Sequence, residues 1–339
     1  MTDDWLLVET LGSEPAVVAL GRQLQHLIPI TTFLRRHPRR AAIQSAIAES
    51  IQTSKGLVSI TPKRHRVIRT EPVFMSDGRV HGVHVWSGPS TDEPPERPVP
   101  GPLKWDMTRG VATDTPESLV NTGRKVELQE PEERAFAECW PAGDLKPNEG
   151  RVLAAAVRFE PGHTVCDTWD GRDWQGNHIR VSFVARNGLE PGVDGREHLI
   201  ARGMNWRADP ADEPTPSDRL AEQILHGLAQ PGVHRALFDP HSWTLLKWLD
   251  APCPFYDWRR ITADDPRIHP DDEPKTTAMT KEFAAGAASA VLRMPAHGGG
   301  WVPVHVTVNR VQIDEQTFAG LVSLRLPTDS ELAAAGLAD

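Results

Sequence analysis

Histidine is the residue whose abundance first raises the question of chemistry, with 14 in 339 positions. Imidazole ligates metals and moves protons near neutral pH, but the spacings that would organise it are missing. The chain contains no His-Glu-x-x-His and no Cys-x-x-Cys to hold zinc, so no metal site is expected. His81 and His84 are three apart on a strand-like run, a spacing that sends two side chains to opposite faces. A haem axial ligand from His163, His178 or His226 stays open, and no spacing selects one, so the cofactor is unknown. His297-Gly298-Gly299-Gly300 has the form of an oxyanion loop, yet acyl chemistry also needs a G-x-S-x-G elbow, which is absent. A Gly-rich hairpin is the simpler reading.

The carboxylates Asp264, Asp265, Asp271, Asp272 and Glu273 lack the alternating pattern that surrounds calcium; they read as a solvated acidic loop. Asp271 or Asp272 is placed to cap the backbone N–H groups of a following helix. Cys139, Cys166 and Cys253 are odd in number and widely separated, which argues against a disulfide framework and for the cytoplasm. No nucleophile–base pair emerges, so no catalytic residues are expected and the chain reads as a non-enzyme. The 11 tryptophans are spread along the chain and read as packing residues, one or two of them suited to lining an apolar cavity. The cleft candidates are Phe283, on a helix, and Val304 and Val306, on the strand facing it.

Behind these residues, the length fits two or three domains, and two Pro-dense stretches propose the divisions. Residues 89–102 and 208–218 read as linkers, leaving segments 1–88, 103–207 and 219–330 and a tail at 331–339. No apolar run is long enough to span a bilayer, and the acidic start is unlike a secretory leader. Residues 1–88 carry 11 Lys+Arg and 7 Asp+Glu, or +4, leaving −13 of the total −9 to the rest. Such a basic lobe could attract an acidic partner or dock on its own chain. Arg35, Arg36, Arg39 and Arg40 form its densest cluster, read as a solvated helix start; no nucleic-acid motif accompanies them. Arg outnumbers Lys by 29 to 8, a bias of high-GC bacterial genomes.

In the first segment, strands are expected at Trp5–Leu11 and Pro15–Leu20, a short helical region at Leu27–Leu34 and a helix at Arg39–Thr53 with Ile43, Ile47 and Ile51 on one stripe. Strands at 56–61, 65–75 and 79–86 close it. The third segment repeats this order: a hairpin from His234 to Leu249, a helix at Lys275–Ser289, and strands at 290–294, 301–311 and 318–326. Val302, Val304, Val306 and Val308 share one face of its middle strand. The middle segment is a looser version, with a helix at Glu132–Trp140 and strands at 152–159, 178–185 and 198–206. The expected class is α+β, three tandem domains, each an antiparallel sheet of about five strands with helices packed on it.

Ile268-His269-Pro270-Asp271-Asp272, the helix after it, Val291-Leu292-Arg293-Met294 and Gly298-Gly299-Gly300-Trp301 resemble a PAS domain in type and order. Residues 1–88 resemble a divergent PAS domain in topology, and the middle segment is similar to GAF domains. The whole chain, including its opening Asp-Trp-Leu-Leu-Val-Glu-Thr-Leu-Gly, resembles mycobacterial triple sensor-domain proteins ordered PAS–GAF–PAS. The resemblance implies a signalling sensor or adaptor that binds a small molecule or protein and acts through a separate effector or a homodimer contact. Leu220–Leu228 and the basic lobe are the contact elements it offers, and a ligand-free scaffold is the alternative.

Overall fold

The apolar alternation of the sequence builds three antiparallel sheets in the computed structural model. Residues 4–337 are described, except 62–64, 127–132, 141–148, 159, 193, 211–222, 225, 241 and 261–265. The first sheet contains β1 (Leu6–Glu9), β2 (Ala16–Leu20), β3 (Gln23–Pro29), β4 (Leu57–Thr61), β5 (Arg66–Phe74) and β6 (Val80–Pro89), in the order β3-β2-β1-β6-β5-β4. Between β3 and β4 run α1 (Ile30–Phe33) and α2 (Arg40–Thr53). Ile43 and Ile47 of α2 are buried among Leu6, Val8, Val17, Val83 and Val85, with Ile51 packed beside them, as a four-residue apolar spacing requires. The expected helical region at 27–34 is half strand. Gly21, at φ 56, turns β2 straight into β3, and the chain becomes helical only at Ile30.

The second sheet contains β7 (Gly101–Asp106), β8 (Val111–Asp114), β9 (Arg134–Ala135), β10 (Thr164–Arg172), β11 (His178–Pro191) and β12 (Glu197–Arg207), ordered β10-β11-β12-β7-β8-β9. Its helices are α3 (Pro116–Asn121) and α4 (Glu149–Arg158), with a 3-10 turn at Phe136–Cys139. Two expectations fail here. The strand at 152–159 is α4: its Val-Leu-Ala-Ala-Ala-Val run is buried throughout, so it has no polar side to betray its period, and its alanines favour helix. The described part of the helix expected at 132–140 is β9 and the 3-10 turn.

The third sheet contains β13 (His234–Phe238), β14 (Leu245–Trp248), β15 (Ala287–Pro295), β16 (Trp301–Gln312) and β17 (Phe318–Arg325), ordered β14-β13-β17-β16-β15. α5 (Glu273–Phe283) lies in its crossover, and α6 (Asp329–Ala334) follows under a Thr328/Glu331 capping box. α5 stops six residues before the expected end, because Gly286 at φ 130 releases the chain into β15 at Ala287. Val304, Val306 and Val308 are buried on one face of β16, as their alternation requires.

All three sheets obey one scheme. The first strand lies inside the sheet, antiparallel to the last, and a helical crossover joins the opening strands to the closing meander. The middle sheet, the looser relative by sequence, has the same six-strand order as the first.

The three sheets pack against one another. Leu7, Val18, Ala19 and Val73 on the back of the first sheet share a core with Val184, Met204 and Trp206 on the back of the second. Gly82 permits this approach: a Cβ there would lie 2.7 Å from Met204 Cε and 2.8 Å from the Val8 carbonyl oxygen. On the other side, Ala135 and Ala137 join the third domain's core, and Leu246 joins the second's. Lys247, fully buried, sits 5.9 Å above the Trp140 ring. Of the Leu220–Leu228 segment, 220–222 and 225 lie outside the described residues; Ile224 and Leu228 are exposed. Among the described residues, no helix is long and apolar enough to cross a membrane.

Candidate functional site

The middle domain holds a cavity on the helix side of its sheet. Leu103 and Trp105 of β7, Trp169 of β10, Phe183 and Ala185 of β11 and Asn205 of β12 form its walls, and Arg124, Arg134, Asp114 and Cys139 its polar end; the space is about 460 Å³ including its mouth. The walls follow from period two: Trp169, Phe183 and Asn205 alternate with residues directed to the opposite side of the sheet. The rings form a continuous run. Trp105 meets Phe136 edge-on at 5.1 Å, Phe136 meets Trp140 at 6.1 Å, Trp140 meets Trp169 at 5.8 Å, and Trp169 lies 4.5 Å from Phe183 at 30°. Among the described residues, the buried indole N–H groups of Trp105 and Trp140 have no hydrogen-bond partner.

The polar end is a buried network. The Arg134 guanidinium donates to Asp114, both side chains under a tenth exposed. Ser118 Oγ donates to Asp114 at 2.6 Å, Asn205 donates to Ser118 Oγ at 2.8 Å, and Asn121 donates to Asn205 Oδ1 at 3.2 Å. Arg124 donates to the Glu138 carbonyl. Two guanidiniums and one carboxylate thus line the cavity. Burial pushes the Cys139 thiol up to about 12, so it is neutral at physiological pH and is no activated nucleophile. The arrangement sets the Arg124 and Arg134 guanidiniums and the Asp114 carboxylate at one end of an apolar, aromatic wall.

The residues singled out by sequence are distributed differently. Phe283 lines a smaller pocket of about 310 Å³ in the third domain, with Phe238, Trp243, Met279 and Val322. Val304 and Val306 do not line it; both are buried in the filled core of that domain. Asp272 does not cap α5: its buried carboxylate takes the Arg293 guanidinium at 3.0 and 3.1 Å, the Arg293 N–H at 2.8 Å and the Lys275 ammonium at 3.0 Å. His269 Nδ1 instead accepts the Asp271 N–H at 3.2 Å. Asp264 and Asp265 lie outside the described residues. Gly298, Gly299 and Gly300, at φ 82, 105 and 77, form the tight hairpin between β15 and β16. His178 and His226 are exposed.

His81 and His84 share a side of the sheet, contrary to their spacing. A bulge at His81 resets the alternation: Phe74 pairs with Val80 and Val73 with Gly82, so Val80 and Val83 both pack toward α2. His81 is thereby turned to the second domain, where Nδ1 lies 2.9 Å from the Gly203 oxygen and Nε2 3.2 Å from Arg202. Arg202 is also held by both oxygens of Glu190, at 2.7 and 2.8 Å, and by Asp77 at 2.7 Å. Beside this group, buried Glu9 takes a two-pronged contact from Arg186 at 3.0 and 3.3 Å. His84, fully buried, meets Trp5 edge-on at 6.0 Å, and its Nδ1 has no partner among the described residues. Burial lowers His81 to about 4 and His84 to about 3, so both rings are neutral and ill placed to act as bases near pH 7.

Sequence reasoning missed the middle cavity. Its eleven-tryptophan count pointed to packing in general, whereas the alternation along β7 and β11, had those strands been drawn in full, places Trp105 and Phe183 on one face.

A search of curated proteins finds no match. The crystal structure of an uncharacterised protein from Mycobacterium tuberculosis is 63% identical, covers 99% of this chain and 100% of its own, and superposes with a TM-score of 0.89. The E. coli DhaR(N)–DhaL complex, at 10% identity over 61% of this chain and 80% of that one, has a TM-score of 0.21. An RNA-binding light-oxygen-voltage receptor, at 11% identity over 98% and 97%, reaches 0.25; likeness at that level carries no argument. Three domain profiles match in succession: Rv3651-like, N-terminal over 4–96, middle domain over 99–208, and C-terminal domain over 218–335. With every domain matched in order, the chain belongs to the Rv3651-like family.

Proposed function

We propose that the protein is a non-enzymatic sensor or adaptor whose middle domain binds a small molecule and whose packed neighbours relay its presence to a separate effector. The first and third domains are read as PAS-like and the middle one as GAF-like, in keeping with the shared order of opening strands, helical crossover and closing meander. The observation that carries the proposal is the aromatic-walled cavity, lined by Trp105, Trp169 and Phe183 beside a buried Arg–Asp network. The neutral state of Cys139, His81 and His84 supports binding over catalysis.

Native mass spectrometry of the protein from its own host tests this. The expected result is a small-molecule adduct that is lost on denaturation and absent from Ala185→Phe, whose ring would occupy the cavity. The released compound should raise the melting temperature of the stripped wild type but not of the variant. An adduct unaffected by Ala185→Phe, or none at all, overturns the proposal.

A further inference from the structure

Packing the three sheets together covers several of their strand edges. β3 lies along β10, where Cys166 Sγ donates to the Gln25 carbonyl at 3.7 Å, and β14 is packed on the 3-10 turn after β9 through Leu246. β15, an outer strand of the third sheet, exposes Ala287 and Ser289 and ends in Pro295, the small and proline residues that blunt an edge.

β4 is different. Leu57-Val58-Ser59-Ile60-Thr61 contains no charge and no proline, and its register against β5 is unbroken by a bulge. Val58 and Ile60 stand on one face, 62% and 61% exposed. The Leu57 N–H points toward β5, donating to Thr70 Oγ1 at 3.2 Å. Because N–H directions alternate along an antiparallel strand, Val58 and Ile60 direct their backbone groups away from the sheet. Among the described residues, Lys55, Arg66 and Arg69 stand on or beside this hairpin, against one carboxylate, Glu71, next to Gly56. Arg69, the direct cross-strand neighbour of Val58, has a buried Nε without a partner among the described residues.

We propose that β4 is a docking edge for an extended segment of a partner protein in which apolar residues alternate with acidic ones, added antiparallel as a seventh strand. Main-chain bonds to Val58 and Ile60 give the affinity, and the Lys55, Arg66 and Arg69 charges select the acidic strand. A second copy of this chain is the poorer occupant, since β4 against β4 would bring two basic strips together. The proposal does not depend on occupancy of the middle cavity.

The test uses the full-length protein and labelled seven-residue peptides in which valine alternates with glutamate or with lysine, read by fluorescence anisotropy. The acidic peptide should bind at least tenfold more tightly than the basic one, lose affinity as salt rises, and fail when its alternate amides are N-methylated. Ile60→Pro, which removes an outward N–H, should abolish binding without shifting the melting temperature by more than a few degrees. The N-methylated peptide decides the matter even if that variant misfolds. Equal binding of both peptides, binding that survives N-methylation, or a dimer of the wild type that Ile60→Pro dissociates would each overturn the proposal.

Discussion

Acidification from pH 7 to pH 5 should destabilise the first domain through His84 and its joint with the second domain through His81. Both rings are buried, and burial depresses them from the ordinary 6.5 to about 4 and about 3. Around His81 stand Arg202, Arg79 and Asp77, and Arg97 opposes protonation of His84. A depressed folded-state value means that the unfolded chain takes up the proton first. The stabilisation is therefore complete above 6.5 and is lost as pH falls toward the folded values. Between pH 7 and 5 an unfolded histidine gains about 2 kcal/mol from protonation that the folded ring forgoes, so the pair costs about 4 kcal/mol. This window is nearly free of the carboxylates, whose losses begin lower. His198, raised by Asp106 and Asp194 against the effect of its burial, works in the opposite sense. Urea titration followed by tryptophan fluorescence at the two pH values gives the measurement. His84→Leu should remove about 2 kcal/mol of the pH-dependent loss and His81→Gln a similar amount. If both variants lose as much stability as the wild type between pH 7 and 5, the assignment of the acid sensitivity to these two histidines is refuted.

Gly82→Val should cost about 3 kcal/mol by overpacking, because its side chain would enter the space of Met204 Cε and the Val8 carbonyl; a thermal melt unchanged within a degree would contradict the packed joint. Asp272 is depressed to about 2, burial opposing and the Arg293 and Lys275 contacts prevailing. Its stabilisation is thus present above 3.8 and lost as pH falls toward 2, so Asp272→Asn should cost about 2 kcal/mol at pH 7 and little at pH 2 in urea titrations. Arg202→Met should cost about 2 kcal/mol by stranding Glu190 and Asp77, and a double-mutant cycle with His81→Gln should show coupling, whereas additive effects would argue against their contact.

The parts of the fold legible in the sequence are those in which one face of an element is wet. α2 shows its stripe because Ile43 and Ile47 alternate with exposed residues, and β16 shows its period because His305 and Thr307 oppose Val304 and Val306. Legibility fails where both sides are covered. α4 is buried over Val152–Val157 and reads as a strand, and the bulge at His81 breaks the period inside β6, whose residues are nearly all buried. The packed joints were hidden for the same reason: Leu7 and Val18 looked like ordinary core residues, and nothing local tells a residue that packs on its own helix from one that packs on the next domain. The middle cavity was missed because its polar end joins Asp114 to Arg134 and Asn121 to Asn205 across long sequence separations.

This double coverage bears directly on how a ligand in the middle domain could be felt elsewhere. β11 carries Phe183 and Ala185 on the cavity wall and, between them, Val184, which belongs to the core shared with Leu7 and Met204. Side chains one residue apart on a strand cannot move independently when both faces are close-packed. A ligand that displaces Phe183 must shift the backbone that holds Val184, and with it the packing against β1, whose Glu9 is held by Arg186 two residues beyond Val184. Proline linkers would have given such a displacement freedom to dissipate. A shared core does not, so the same contacts that deny the domains independence are those through which binding in one can bias the arrangement of another.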